Sequence, residues 1–164
     1  MTRYCVEFDW RRVGTVKLDT TGALKFPVVP KAPGLYQFWI EDGEVRPQAY
    51  IGEASEFNQR WQRYKTPGVP KPGKNPTTNQ RLNAILKDAI AKGSKVSVFI
   101  STEASAKIDD GAPIDVPMSR KNTRLIVEQT AIHAVQLQNI DDDDAVLIVP
   151  VVLDRPGRGE DEYE

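Results

Sequence analysis

Two β-prone runs joined by a short polar turn constrain this chain more than any other feature. Leu35 to Ile40 is aromatic and branched, the composition of a strand, and Ala49 to Ala54 is a second such run. Glu41-Asp42-Gly43-Glu44 supplies the turn, so the runs are expected to pair as an antiparallel hairpin. Ser55 can cap the helix that follows, with Glu56 in its first turn. That helix repeats Phe57, Trp61 and Tyr64 at i, i+4 and i+7, which makes one buried face.

The rest of the chain reads outward from this hairpin. Tyr4–Phe8 and Gly14–Leu18 are β-rich, and Thr20-Thr21-Gly22 is a turn, giving a small strand pair ahead of the main fold. Pro27 to Pro33 is an extended linker. Lys65 to Pro76 holds four prolines, two glycines and three lysines, which excludes helix or central strand. Thr77 with Gln80 forms a capping box, and Leu82, Ile85, Leu86, Ala89 and Ile90 make the apolar stripe of the helix it opens. Gly93 ends that helix, and Lys95–Ser101 is a third strand. Glu103 to Met118 reads as a loop, broken by Gly111, Pro113 and Pro117. A helix from about Ser119 to Gln138 follows, with Leu125, Ala131, Ile132 and Val135 on one face. Asp141–Asp144 is an acidic turn, Ala145–Leu153 a last strand, and residues 154–164 a disordered acidic tail.

At 164 residues and 40% hydrophobic, the chain suits one domain with one core. No apolar run is long enough to span a membrane. The first residues lack the apolar stretch of a secretory signal, and Cys5 is the only cysteine. A cytoplasmic setting is expected. The net charge of −1 hides an asymmetry. Phe57 to Ile100 carries nine bases and one acid, a net of +8, while Ser101 to Glu164 carries six bases and fourteen acids, a net of −8. The basic third suits a polyanion such as a nucleic acid; as a bland alternative, it is a solvated helix face plus a lysine-rich loop.

Four residues stand out for chemistry. Tyr36 and Tyr50 sit on strands that can bring them side by side on one face, each with a glycine at the other end of its three-residue motif, Gly34 and Gly52. Those glycines leave the backbone open to close approach by a ligand. Otherwise the two tyrosines are ordinary core aromatics with satisfied hydroxyls. Arg60, at i+3 from Phe57 and i−4 from Tyr64, emerges at the edge of a buried helix face, where its planar fork could meet a phosphate. Glu128 interrupts an apolar stripe, at i+3 from Leu125 and i−4 from Ile132. A carboxylate there needs a salt bridge, a raised pKa or a metal ion. His133 is turned ~140° away from Glu128 and is a poor co-ligand.

Gly34-Leu35-Tyr36, Tyr50-Ile51-Gly52, a helical Arg60 and a later helical Glu128, in that order, resemble the GIY-YIG nuclease family. The resemblance covers roughly residues 33–138 and also matches in element order: strand, strand, helix, helix, strand, helix. It implies an α+β fold with a small three-stranded antiparallel sheet flanked by helices, here with additional strands at both ends. The chain then divides into an N-terminal strand extension and linker at 1–33, a nuclease domain at 34–153 and the tail at 154–164. It also implies metal-dependent hydrolysis of DNA, with RNA not excluded. In that scheme Tyr36 takes a proton from the attacking water, Tyr50 orients, Arg60 stabilises the phosphate's charge, and Glu128 holds one Mg²⁺ or Mn²⁺. A free tyrosine has a pKa near ~10, so ionising one at neutral pH costs about 4 kcal/mol unless a metal ion or arginine helps.

Many members of that family carry a histidine shortly after the helical arginines; Tyr64 takes its place here. Arg63, Tyr64, Lys65, Lys71, Lys74, Asn79 and Arg81 are the expected nucleic-acid contacts, though Asn79 and Asn83 suit capping or surface roles equally. One such site cuts one strand, and the expected state is a monomer or weak homodimer. Two other functions fit the same residues. One is a catalytically silent nucleic-acid-binding module of this fold; the other is a protein-binding or inhibitory protein using its acidic C-terminal part.

Overall fold

The computed structural model describes residues 1–43, 46–138 and 147–148. In chain order its first elements are β1 (Tyr4–Glu7), β2 (Arg11–Leu18), β3 (Leu24–Lys25), β4 (Gly34–Glu41), β5 (Gln48–Ala54), α1 (Phe57–Lys65) and α2 (Thr78–Ala91). Then come β6 (Lys95–Ser101), β7 (Ser105–Ile108), β8 (Ile114–Asp115), α3 (Lys121–Gln138) and β9 (Leu147–Ile148). The fold is α+β. The expected hairpin forms, with Gly34 opposite Ala54 and Ile40 opposite Gln48. The third strand, β6, pairs antiparallel with the other side of β4. This three-stranded core is extended to the order β3-β2-β6-β4-β5-β9.

Strand alternation sends successive side chains to opposite faces of this sheet. Tyr36, Phe38 and Tyr50 face α1 and α2, and pack with Phe57, Trp61, Tyr64, Leu82 and Leu86. Leu35 and Ile51 face α3, and pack with Val127, Ala131 and Ile132. The sheet is therefore a middle layer with a core on each side. The α1 side is strongly aromatic: Phe26, Tyr36, Phe38, Tyr50, Phe57, Trp61 and Tyr64 form one linked set of rings. Such pairs add about 0.5–1.5 kcal/mol each beyond the area they bury.

The capping box at Thr77 and Gln80 is present, with both reciprocal hydrogen bonds made. Gln80 also reaches back to the carbonyls of Pro67 and Gly68, at 3.5 and 3.4 Å, and so ties the proline-rich segment to α2.

Several expectations need correction. The two N-terminal strands do not pair with each other. β2 joins the main sheet against β6, while β1 pairs with β7 in a separate sheet of order β1-β7-β8. The residues between Glu103 and Met118 are therefore not a plain loop but carry β7 and β8. Their short length and the intervening Gly111 and Pro113 masked the strand signal in the sequence. Helix α1 is capped at Glu56, whose side chain makes no capping bond, and not at Ser55. In α3 the buried stripe runs through Arg124, Val127, Glu128, Ala131 and Ile132, with Leu125 only half-buried at its edge. Leu147–Ile148 pairs parallel with β5. Glu44 of the expected turn, the acidic run 141–144, the remainder of the expected last strand and the 154–164 tail lie outside the described residues.

The glycines do not open the backbone to a ligand, as the sequence suggested. Gly52 lies directly opposite Tyr36, and a Cβ there would collide with the Tyr36 ring and hydroxyl. Gly34 is pressed against the Ser101 carbonyl and the Phe57 ring. Both positions are bare so that aromatic and backbone groups can close over them. Gly52→Ala is therefore expected to overpack a full core and cost about 1–3 kcal/mol. Urea unfolding of the variant against the parent measures that loss.

Candidate functional site

Register sets the tyrosine geometry. Tyr36 stands opposite Gly52 and Tyr50 opposite Phe38, so the two tyrosines are diagonal neighbours on one face. Their ring centroids are 6.1 Å apart. Tyr64 reaches down from the last turn of α1. Its hydroxyl hydrogen-bonds the Tyr36 hydroxyl and lies 3.4 Å from that of Tyr50. All three are buried, with Tyr36 and Tyr64 at 1% exposure and Tyr50 at 4%. Tyr64, expected among the nucleic-acid contacts, is thus not on the surface; it joins two catalytic candidates into a chain of hydroxyls.

Burial raises the pKa of Tyr36 well above its ordinary value, and neighbouring Tyr50 and Tyr64 add to the effect. Tyr64 is raised in the same direction, again chiefly by burial. At neutral pH both are neutral phenols. Arg60 is the neighbour whose charge works the other way on both.

Arg60 occupies the helix edge that the sequence assigned to it. Its Nη2 donates to the Glu53 carbonyl oxygen at 3.2 Å and lies 3.7 Å from Glu53 Oε1. Burial opposes its charge, but Tyr36 and Tyr64 in their ionised forms and the Glu53 carboxylate outweigh this and raise its pKa. The guanidinium stays charged. Its side chain keeps 21% exposure, so solvent and solutes reach it.

Two residues of the site escaped the sequence reading. Glu53 is 4% exposed, on the sheet face that looks toward α3. Its Oε2 accepts from Arg124 Nε at 2.7 Å. Arg124, also 4% exposed, donates through Nη1 to the carbonyls of Met118 and Ser119 at 2.9 and 3.0 Å. A signal was available. Glu53 shares a strand face with Ile51, and Arg124 shares a helix stripe with Val127 and Glu128. Two opposite charges at apolar positions on elements that pack together are a pair waiting to be matched.

Glu128 is buried at 1%, one helical turn beyond Arg124. It belongs to the helix that covers the face opposite the tyrosines. Among the described residues no group of three or more His, Cys, Asp or Glu side chains is clustered as a metal site. His133 is exposed. Of the expected nucleic-acid contacts, Arg63, Lys65, Lys71 and Lys74 are exposed, and Asn79 and Arg81 are half-buried. Lys65 stands at a groove of about 260 Å³ between α1 and residues 24–29. Asn83 spends its amide on the Tyr64 carbonyl, at 2.6 Å, which fixes the end of α1 to α2.

No protein-family model matches the chain, and no curated protein matches it. Among solved structures it is similar to that of a bacteriophage T4 EndoII mutant, with a TM-score of 0.48 and 18% identity over 74% of this chain and 88% of that one. At that distance the chemistry rests on the side chains themselves.

The buried phenols set a pH limit on stability. A proton retained in the folded state above pH ~10, where the unfolded chain gives it up, makes stability fall as pH rises. Stability from Tyr36 and Tyr64 is therefore fully present below pH ~10 and is lost above it. Unfolding titrations between pH 8 and 12 are expected to show this alkaline limb, and Tyr36→Phe/Tyr64→Phe is expected to flatten it.

Proposed function

We propose that this protein is a metal-dependent endonuclease of the GIY-YIG type, hydrolysing DNA phosphodiester bonds. The observation that carries the reading is a linked set of three buried phenol hydroxyls within electrostatic reach of a charged, solvent-reached arginine. Arg60 offers a planar fork to the scissile phosphate and neutralises charge that grows in the transition state. Tyr36 orients the attacking water through its hydroxyl. It accepts the water's proton only once ionised, and Arg60 is the described neighbour that favours that form. Tyr64 holds the Tyr36 hydroxyl in place, and Tyr50, whose hydroxyl lies against that of Tyr64, orients the phosphate or the water.

In this reading the buried Glu128 carboxylate, carried on the α3 side of the sheet, would hold one Mg²⁺ or Mn²⁺, with water and substrate phosphate filling the remaining positions. Such an ion, when bound, acidifies a water and offsets phosphate charge. Arg63, Lys65, Lys71 and Lys74, all exposed, would track the flanking DNA backbone.

Burial of all three tyrosines favours one second reading, a silent module of the same fold that binds nucleic acid through its basic third. Incubation with supercoiled, linear and branched DNA and with RNA, in Mg²⁺ or in EDTA, separates the two. Mg²⁺-dependent nicking of DNA is expected. Binding without cleavage under every condition establishes the silent module instead.

Glu128→Gln is expected to abolish cleavage while leaving the melting temperature and DNA affinity near those of the parent; full activity would remove Glu128 from the metal site. Tyr36→Phe is expected to slow single-turnover cleavage by roughly 10²–10⁴-fold, the usual worth of a positioned proton acceptor. Near-normal turnover would take this hydroxyl out of the chemistry.

A further inference from the structure

Glu53 faces two arginines from two different helices, and the two contacts are unequal. Its Oε2 is 2.7 Å from Arg124 Nε, a full charge-assisted hydrogen bond. Its Oε1 is 3.7 Å from Arg60 Nη2, a longer contact, supplemented by the 3.2 Å bond from Nη2 to the Glu53 backbone carbonyl. Arg124 is thus the closer partner of the carboxylate. Arg60 is held by one corner while its own charge stays available. Among the described residues, Nη2 is the one Arg60 donor engaged in a side-chain hydrogen bond.

We propose that Glu53 is a positioning residue that fixes the Arg60 guanidinium against the end of strand β5, with Arg124 as the closer partner of the Glu53 carboxylate, so that Arg60 keeps its charge available for a phosphate. The proposal rests on the nuclease reading for its phosphate, but its geometry is independent of it. A long arginine side chain at a helix edge would otherwise extend into solvent and sample many rotamers. Tethering one arm to strand β5 removes that freedom, while the side chain keeps its 21% exposure. Arg124 is itself anchored by the Met118 and Ser119 carbonyls at the entry to α3. The charges of the trio sum to +1, and that surplus lies on the member that solvent reaches.

The test is a double-mutant cycle of Glu53→Gln and Arg60→Ala on full-length protein. The readouts are kcat and KM for nicking of supercoiled plasmid in Mg²⁺, and the Arg60 Nε–H resonance by NMR. Glu53→Gln is expected to lower kcat at least tenfold with KM changed less than threefold, since a loosened Arg60 loses its alignment and keeps its charge. In the Arg60→Ala background the same substitution is expected to add nothing. Losses that multiply across the two positions would overturn the proposal, because Glu53 would then act elsewhere.

The resonance gives an answer without catalysis. Arg60 Nε–H is expected to be sharp and slowly exchanging in the parent and averaged in Glu53→Gln. An unchanged resonance overturns the proposal. Should the parent cleave no substrate, the nuclease reading falls while the resonance still decides the positioning role. Where Glu53→Gln does not fold, Glu53→Gln/Arg124→Gln removes both charges of the tight pair and is read in the same way.

Discussion

A single buried carboxylate joins the two halves of this molecule. Helix α1 covers one face of the sheet and α3 the other, and their side chains have few places to meet. Glu53, near the end of β5, is one of them: it holds Arg124 of α3 tightly and Arg60 of α1 more loosely. A buried ion pair is weak evidence for stability, because desolvation consumes much of the attraction. Its effect here is geometric. The pair sets where the first turn of α3 sits against β5, and therefore where Glu128, one turn on, is carried.

The tyrosines show how closely structural and chemical roles overlap. Their rings are core residues, packed with Phe38, Phe57 and Trp61, and the burial that stabilises the sheet also keeps the phenols protonated. A buried neutral hydroxyl is a good hydrogen-bond partner and a poor base. Any proton chemistry at Tyr36 therefore depends on charge brought to it, and Arg60 is the built-in part of that charge. The same burial explains why the site looks closed: the arginine reaches solvent, and the tyrosines are buried.

Much of the core was legible because period and spacing are strong signals where one face is buried. The β4–β5 hairpin, the α1 face, the capping box of α2 and strand β6 all appear where the residues place them. The small sheet was not legible. β1 and β7 pair across about a hundred residues of sequence, and no local pattern announces such a partner. Nor was the purpose of Gly34 and Gly52. A bare Cα looks the same in sequence whether a ligand or a neighbouring ring presses on it, and here the rings do. Tyr64 stood among the expected nucleic-acid contacts because it occupies the place of the family's histidine; helix periodicity had already placed it on the buried face. Glu53 and Arg124 were visible only as a pair, and pairing needs the topology.

The register between β4 and β5 has a consequence for how such a chain can change over evolutionary time. Tyr36 fits only against Gly52, and its neighbours Leu35 and Gln37 belong to the opposite face. Deleting or inserting one residue within either strand would exchange the faces, sending Leu35 toward α1 and Tyr36 toward α3. Both cores and the hydroxyl chain would fail together. Length variation in this hairpin is thus confined to the stretch between Glu41 and Gln48, and a family built this way would drift in its turns and helices while its two strands stay fixed in length.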